Sequence, residues 1–242
     1  MMFNFPLHNQ VLKVLKSVKP ELFEQCHIYF GGGTLLTLLY GEYRLSRDID
    51  FLCTYGENFS RLRRALYDEG IHAIFNLPLQ EIQLPHELKT DRDGVRTSIV
   101  ISDAILKFEI VAEGRIALDP PSYPTWSSLP CLSLVDQVAE KLLANGDRWA
   151  DGSVDSRDLI DLAILKLKTE FPQRAIDKAE AAYPCVAPLK RAIANFQAQP
   201  DYRMRCYDRL GIQRPSEVID GLDQLAQQFD LPFMERTAIE QF

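Results

Sequence analysis

The sequence predicts a chain in two parts, an α/β or α+β portion followed by an all-helical one. Three observations predict it. Short β-branched and aromatic runs recur through the first half, with helical patterns between the early ones. Pro120, Pro121, Pro124 and Pro130 then interrupt any regular element across residues 118–130. Beyond that break, nearly every segment carries its apolar residues at helical spacing. The boundary is therefore placed at Pro130, giving parts that span 1–130 and 131–242.

Taken in order, the predicted strands cover residues 28–30, 49–53, 71–75, 97–101 and 105–112. The predicted helices cover 133–144, 155–168, 173–183, 188–197 and 216–229. Ser133 can cap the helix containing Asp136, and Asp155 or Ser156 can cap the helix leading to Leu159 and Leu162. In the latter helix Asp158 and Asp161 border an apolar stripe.

Composition narrows the function classes. With 242 residues, 46% hydrophobic and 25% charged, the chain can bury a sizeable core, which excludes disordered and disulfide-scaffold classes. No window approaches ~18 uncharged apolar residues, the length a membrane helix needs. Lys13, Lys16 and Lys19 interrupt the early apolar positions, so a cytoplasmic protein with no membrane partner is expected. The five cysteines are scattered without C-x-x-C pairs, and the four histidines lack ligand spacing. Net charge is −7, so a polyanionic partner would need a local basic patch. Two groups of cations qualify by position, Arg61, Arg63 and Arg64, and the tail set Tyr202, Arg203, Arg205, Tyr207, Arg209 and Arg214; both read better as surface helix faces.

The most informative stretch runs from 28 to 52. A short strand ends in Gly31, Gly32 and Gly33, a helix opens at Thr34, and a second strand contains Asp48 and Asp50. Glycines let backbone amides approach an anion, and a helix start points its unpaired N–H groups and positive dipole end to the same place. Asp48 and Asp50, two apart on a strand, project from one face, and a divalent cation offsets their repulsion. Glu109 stands in an otherwise buried strand run and needs a partner, either a shared metal or Lys107 on the same face. Three carboxylates around metal ions, beside a phosphate-binding turn, suit nucleotidyl transfer.

These residues, Phe30-Gly31-Gly32-Gly33-Thr34-Leu35-Leu36 and then Ser46-Arg47-Asp48-Ile49-Asp50-Phe51, resemble the nucleotidyltransferases of the AbiEii/AbiGii toxin group. That group belongs to the DNA polymerase β-like superfamily. The resemblance implies an α+β nucleotidyltransferase domain with a small mixed sheet, followed by a C-terminal helical bundle. It implies that Gly32, Gly33, Thr34 and Ser46 serve the nucleotide, and that Asp48, Asp50 and Glu109 are catalytic and bind Mg²⁺, with Mn²⁺ as the alternative ion. Past the proline-rich break, Lys141, Arg148, Arg157 and Asp158 match the family's Lys, Arg and basic-Asp positions, with Asp161 one turn later. Lys141 would then contact the triphosphate, and Arg148 and Arg157 would add anion contacts or brace carboxylates.

The expected activity is Mg²⁺-dependent transfer of an NMP from an NTP to an acceptor hydroxyl, on RNA such as tRNA, by the toxin of a toxin–antitoxin pair. Two alternatives stand beside it: a transferase that adenylylates a protein, and a non-catalytic nucleotide- or partner-binding module on the same fold. One departure from the superfamily pattern is Glu109, where many members carry Asp.

Overall fold

The computed structural model describes residues 3–76 and 82–241. The chain divides into two compact units, one of Met1–Leu39 with Ser46–Ser133 and one of Tyr40–Leu45 with Leu134–Phe242. The second unit thus takes in six residues from the first half of the chain, which a single boundary at Pro130 does not provide for.

The first unit opens with α1 (Pro6–Ser17) and α2 (Pro20–Gln25), each led by a proline at its first helical position. A proline there forfeits only an N–H that has no intrahelical partner. Then follow β1 (Ile28–Phe30), α3 (Gly32–Leu39), β2 (Ile49–Thr54), α4 (Glu57–Glu69), β3 (Ile82–Gln83), β4 (Lys89–Thr90), β5 (Gly94–Ile101) and β6 (Ala104–Glu113). Among the described residues these strands make one mixed sheet in the order β1-β2-β6-β5-β3, with β4 also on β5. β2 runs parallel to β6, while β1 and β5 run antiparallel to their neighbours.

Alternation along the strands decides what each face carries. Ile49 and Phe51 of β2, Phe108 and Ile110 of β6, and Val95 and Ile99 of β5 are all fully buried on one face. The Phe51 ring lies 4.8 Å from that of Phe23, 5.3 Å from Phe30 and 5.4 Å from Phe108, so aromatic contacts tie the sheet to α2. The residues between them, Asp50, Glu109 and Arg96, fall on the opposite face.

Two expectations need correction here. Residues 71–75 are not a strand: Gly70–Ala73 forms a 3₁₀ turn, and Phe75 makes an isolated bridge to Val18. The apolar run is there because Ile74 and Phe75 are fully buried, and a short apolar run looks the same in either structure. Asp48 lies just ahead of β2 rather than within it.

The second unit is helical: α5 (Leu134–Arg148), α6 (Arg157–Lys168), α7 (Gln173–Ala182), α8 (Val186–Gln197), α9 (Pro200–Leu210) and α10 (Pro215–Gln228). α6 is buried along most of its length and packs closely on α10, where a Cβ on Gly221 would come within 2.0 Å of the Ala163 carbonyl oxygen. Ser156 does not cap α6 with its side chain; its backbone is left-handed (φ 49°), and its hydroxyl pairs instead with the Tyr202 hydroxyl at 2.9 Å. All five cysteines are buried free thiols. Among the described residues no helix is long and apolar enough to cross a membrane.

Candidate active site

The glycine turn is shaped around Asp50. The Gly31 amide donates to the Asp50 carbonyl at 2.8 Å, which fixes the turn to β2. Gly32 follows with φ +68°, in the left-handed region, and a Cβ there would stand 2.6 Å from Asp50 Oδ2. Backbone conformation and space both require glycine at this position. α3 begins at Gly32, so the Asp50 side chain stands beside the residue that opens the helix.

Thr34 and Ser46 have structural work. Thr34 is fully buried, and its hydroxyl donates to the Asp48 carbonyl and pairs with the Ser46 hydroxyl at 2.8 Å. The Ser46 amide in turn donates to Nε2 of the buried His8 at 3.3 Å. These bonds hold the backbone of Asp48 against α3, whereas the resemblance assigns both hydroxyls to the nucleotide. Gly33 is buried within the first turn of α3.

Asp50 and Glu109 are direct partners in the parallel β2–β6 register, and Arg96 is the antiparallel partner of Glu109 on β5. Side chains of paired residues project to the same face, so an acid, an acid and a cation form a row across three strands. Glu109 is 9% exposed, and its carboxylate accepts from Arg96 Nε on one oxygen and from Lys107 Nζ on the other. Burial opposes its charge, but the hydrogen bonds from Lys107 and Arg96 more than offset that and hold its pKa below the usual value. Arg96 Nη1 continues the row to Asp91 Oδ2 at 2.9 Å.

Asp50 and Glu109 therefore share a side of the sheet, with Asp48 just ahead of β2, but the three do not form a ready ligand cage. Among the described residues, no group of three or more His, Cys, Asp or Glu is placed to hold a metal ion. Both oxygens of Glu109 are already taken by a cation each, Arg96 and Lys107. Asp48 and Asp50 supply hard oxygen donors that suit Mg²⁺, and the missing Cβ of Gly32 leaves the Asp50 carboxylate its space.

The remaining sequence-predicted residues lie in the helical unit. Lys141 is buried and ion-paired to both Asp158 (3.0 Å) and Asp161 (2.5 Å). Arg148 grips Asp158 with Nε at 2.6 Å and Nη2 at 3.0 Å. From the 40–45 segment, Arg44 makes a two-pronged bond to Asp161 at 2.7 and 2.9 Å, and the Tyr43 hydroxyl adds a third at 2.6 Å. Burial opposes both carboxylates, yet Lys141 and Arg148 hold Asp158, and Arg44 and Lys141 hold Asp161, below the ordinary range. Lys141 and Arg148 thus neutralise carboxylates of their own unit. Arg157, the first residue of α6, is half-buried and pairs with none of the described residues.

Sequence reasoning missed Arg96, Asp91, Tyr43 and Arg44. Arg96 fell one residue outside the strand predicted over 97–101, whereas β5 begins at Gly94. Arg44 left no signal, because its partner lies 117 residues away.

Of the tail cations Arg203 is fully buried on Glu240, while Arg205 over the Tyr202 ring, Arg209 paired with Asp155 and Arg214 paired with Glu217 stay exposed. A cavity of about 910 Å³ is lined by Arg63, Arg64, Leu66, Tyr67, Leu84 and Leu88 among others, and by none of Asp48, Asp50 and Glu109.

Comparison with known proteins speaks to family and fold. A family model described as the nucleotidyl transferase AbiEii toxin of type IV toxin–antitoxin systems matches residues 13–217. The chain belongs to this AbiEii family. The matched span takes in the glycine turn, the acid row and the Lys141–Asp158 pair, and the chain is accordingly a nucleotidyltransferase. Among solved structures, a protein from H. pylori assigned as a nucleotidyltransferase is 21% identical, with a TM-score of 0.51 over 91% of this chain and 92% of that one. JHP933 from Helicobacter pylori is 20% identical, with a TM-score of 0.52 over 94% and 93%. At such identities the likeness shows the fold: an α+β nucleotidyltransferase architecture with a small mixed sheet. No curated protein matches the chain.

Proposed function

We propose that this AbiEii family member transfers an NMP from an NTP to a hydroxyl on RNA, with tRNA as the first acceptor to test, acting as the toxin of a pair whose antitoxin is its partner. In this reaction the acceptor oxygen bonds to the α-phosphorus and the bond from that phosphorus to the β-phosphate oxygen breaks. Pyrophosphate leaves with the electron pair, and the acceptor proton passes to solvent.

The observation that carries the reading is the space at Gly32, where a Cβ would meet Asp50 Oδ2 at 2.6 Å, so that a carboxylate stands beside the start of a helix. An acid in that position would repel a triphosphate unless a cation lay between them. Asp48 and Asp50 would hold Mg²⁺, or Mn²⁺, which when bound supplies positive charge against the triphosphate and the departing pyrophosphate, and Glu109, in register beside Asp50, would complete the acid site. Gly32, Gly33 and the first amides of α3 would receive phosphate oxygens, while Thr34 and Ser46 keep Asp48 in place.

Purified protein with Mg²⁺ and α-labelled NTPs, offered total tRNA and whole-lysate protein in parallel, tests this directly. Label is expected in tRNA, and Asp48→Ala or Asp50→Ala should reduce it at least ~100-fold with the fold intact. Undiminished transfer by either variant would refute the ion assignment, and label in protein alone would replace the RNA acceptor by a protein one.

A further inference from the structure

We infer that Arg96 is a positioning residue for this active site, acting through Glu109. The inference rests on the proposed role of the acid row and adds a residue outside the resemblance. Arg96 is built in from both sides. Its Nε donates to the Glu109 carboxylate, and its Nη1 donates to Asp91 at 2.9 Å. Asp91 is itself fixed by the β4–β5 turn, where its Oδ1 accepts the amides of Asp93 at 2.8 Å and Gly94 at 3.0 Å. The Asp91 amide closes the same turn on the Gly94 carbonyl at 3.0 Å.

This chain of bonds has a direction. A tight turn orients a carboxylate, the carboxylate orients a planar guanidinium, and the guanidinium orients the one acid that stands in register beside Asp50. Lys107 also reaches Glu109, but from two residues away on the same strand and with a side chain 52% exposed. Its flexible ammonium neutralises without fixing a plane. Gly94 adds to the rigidity, since a Cβ there would lie 2.5 Å from the Ile110 carbonyl oxygen, so β5 and β6 pass unusually close at this point. Without Arg96, Glu109 keeps its ionic partner Lys107 but loses its fixed orientation toward Asp50.

The test is a double-mutant cycle on the full chain with Arg96→Ala, Glu109→Gln and both together, plus Arg96→Lys. Initial rates of label transfer to total tRNA give kcat and the KM for NTP, and Mn²⁺ titration by calorimetry gives a reading that needs no turnover. Each single variant should lower kcat by ~10-fold or more with KM within about 2-fold, and the double variant should match Glu109→Gln. Arg96→Lys should recover part of the loss. The change in Mn²⁺ affinity brought by Arg96→Ala should vanish in the Glu109→Gln background. Full kcat in Arg96→Ala, losses that multiply in the double variant, or an Mn²⁺ affinity that does not respond to Arg96→Ala in the native background would each overturn the inference. Asp50→Asn run alongside separates the two readings: if it too retains activity, the proposed function fails, whereas its inactivity beside an active Arg96→Ala confines the failure to Arg96.

Discussion

Gly32 concentrates the site in one residue. Its left-handed backbone and its 2.6 Å clearance to Asp50 Oδ2 are independent demands that only glycine meets. Gly32→Ala should cost about 1–2 kcal/mol from the backbone term alone, measured by urea denaturation. It should also cut label transfer by ~10-fold or more, because the added methyl displaces a carboxylate that fixed geometry has to hold. An Ala variant with native rate would mean that the Asp50 position does not matter to turnover. The glycine triplet was legible because a left-handed residue such as Gly32 (φ +68°) favours glycine. The roles of the hydroxyls were not: Thr34 and Ser46 stand at positions that fit phosphate contact equally well, and only their bonds to each other and to the Asp48 carbonyl show them bracing the backbone.

At the level of elements, alternation along β2 and β6 made most of the sheet readable, since Ile49, Phe51, Phe108 and Ile110 mark the buried face by themselves. Residues 71–75 defeated that reasoning because burial, not pairing, selects their side chains. The 40–45 segment was invisible for a different reason. Its place in the helical unit is held by Arg44 and Tyr43 on Asp161, a contact with no local signature. Asp161→Asn would leave Arg44 buried without its carboxylate and Lys141 with one partner fewer. A loss of about 3–5 kcal/mol in unfolding free energy is expected, as for other broken buried ion pairs. A denaturant midpoint equal to that of the native chain would show the network to be dispensable.

At the scale of the whole molecule, the tail of the chain holds one cation, Arg203, that is fully buried and paired inside the fold. The pairing of Arg203 with Glu240 illustrates the consequence for acid stability. Burial raises the Glu240 pKa, but bonds from Arg203, the Thr237 amide and Tyr207 bring it down from 4.5 to about 2. A carboxyl with a depressed folded pKa stabilises the fold above its unfolded value and loses that contribution as pH falls through the folded one. Stability should therefore decline as pH drops from about 4.5 toward 2, and Glu240→Gln should flatten that part of the curve while lowering stability at pH 7. A variant whose thermal midpoint tracks the native one at every pH would exclude Glu240 from acid unfolding.

The account as a whole turns on whether Asp48 and Asp50, beside the bend at Gly32, are where the ion and the nucleotide meet. Crystals grown with Mn²⁺ and a non-hydrolysable NTP, examined by anomalous diffraction, answer that most directly. The strongest peak is expected at the Asp48 and Asp50 carboxylates, with the triphosphate over the start of α3. A peak in the helical unit or in the cavity near Arg63, with the two aspartates bare, would contradict it.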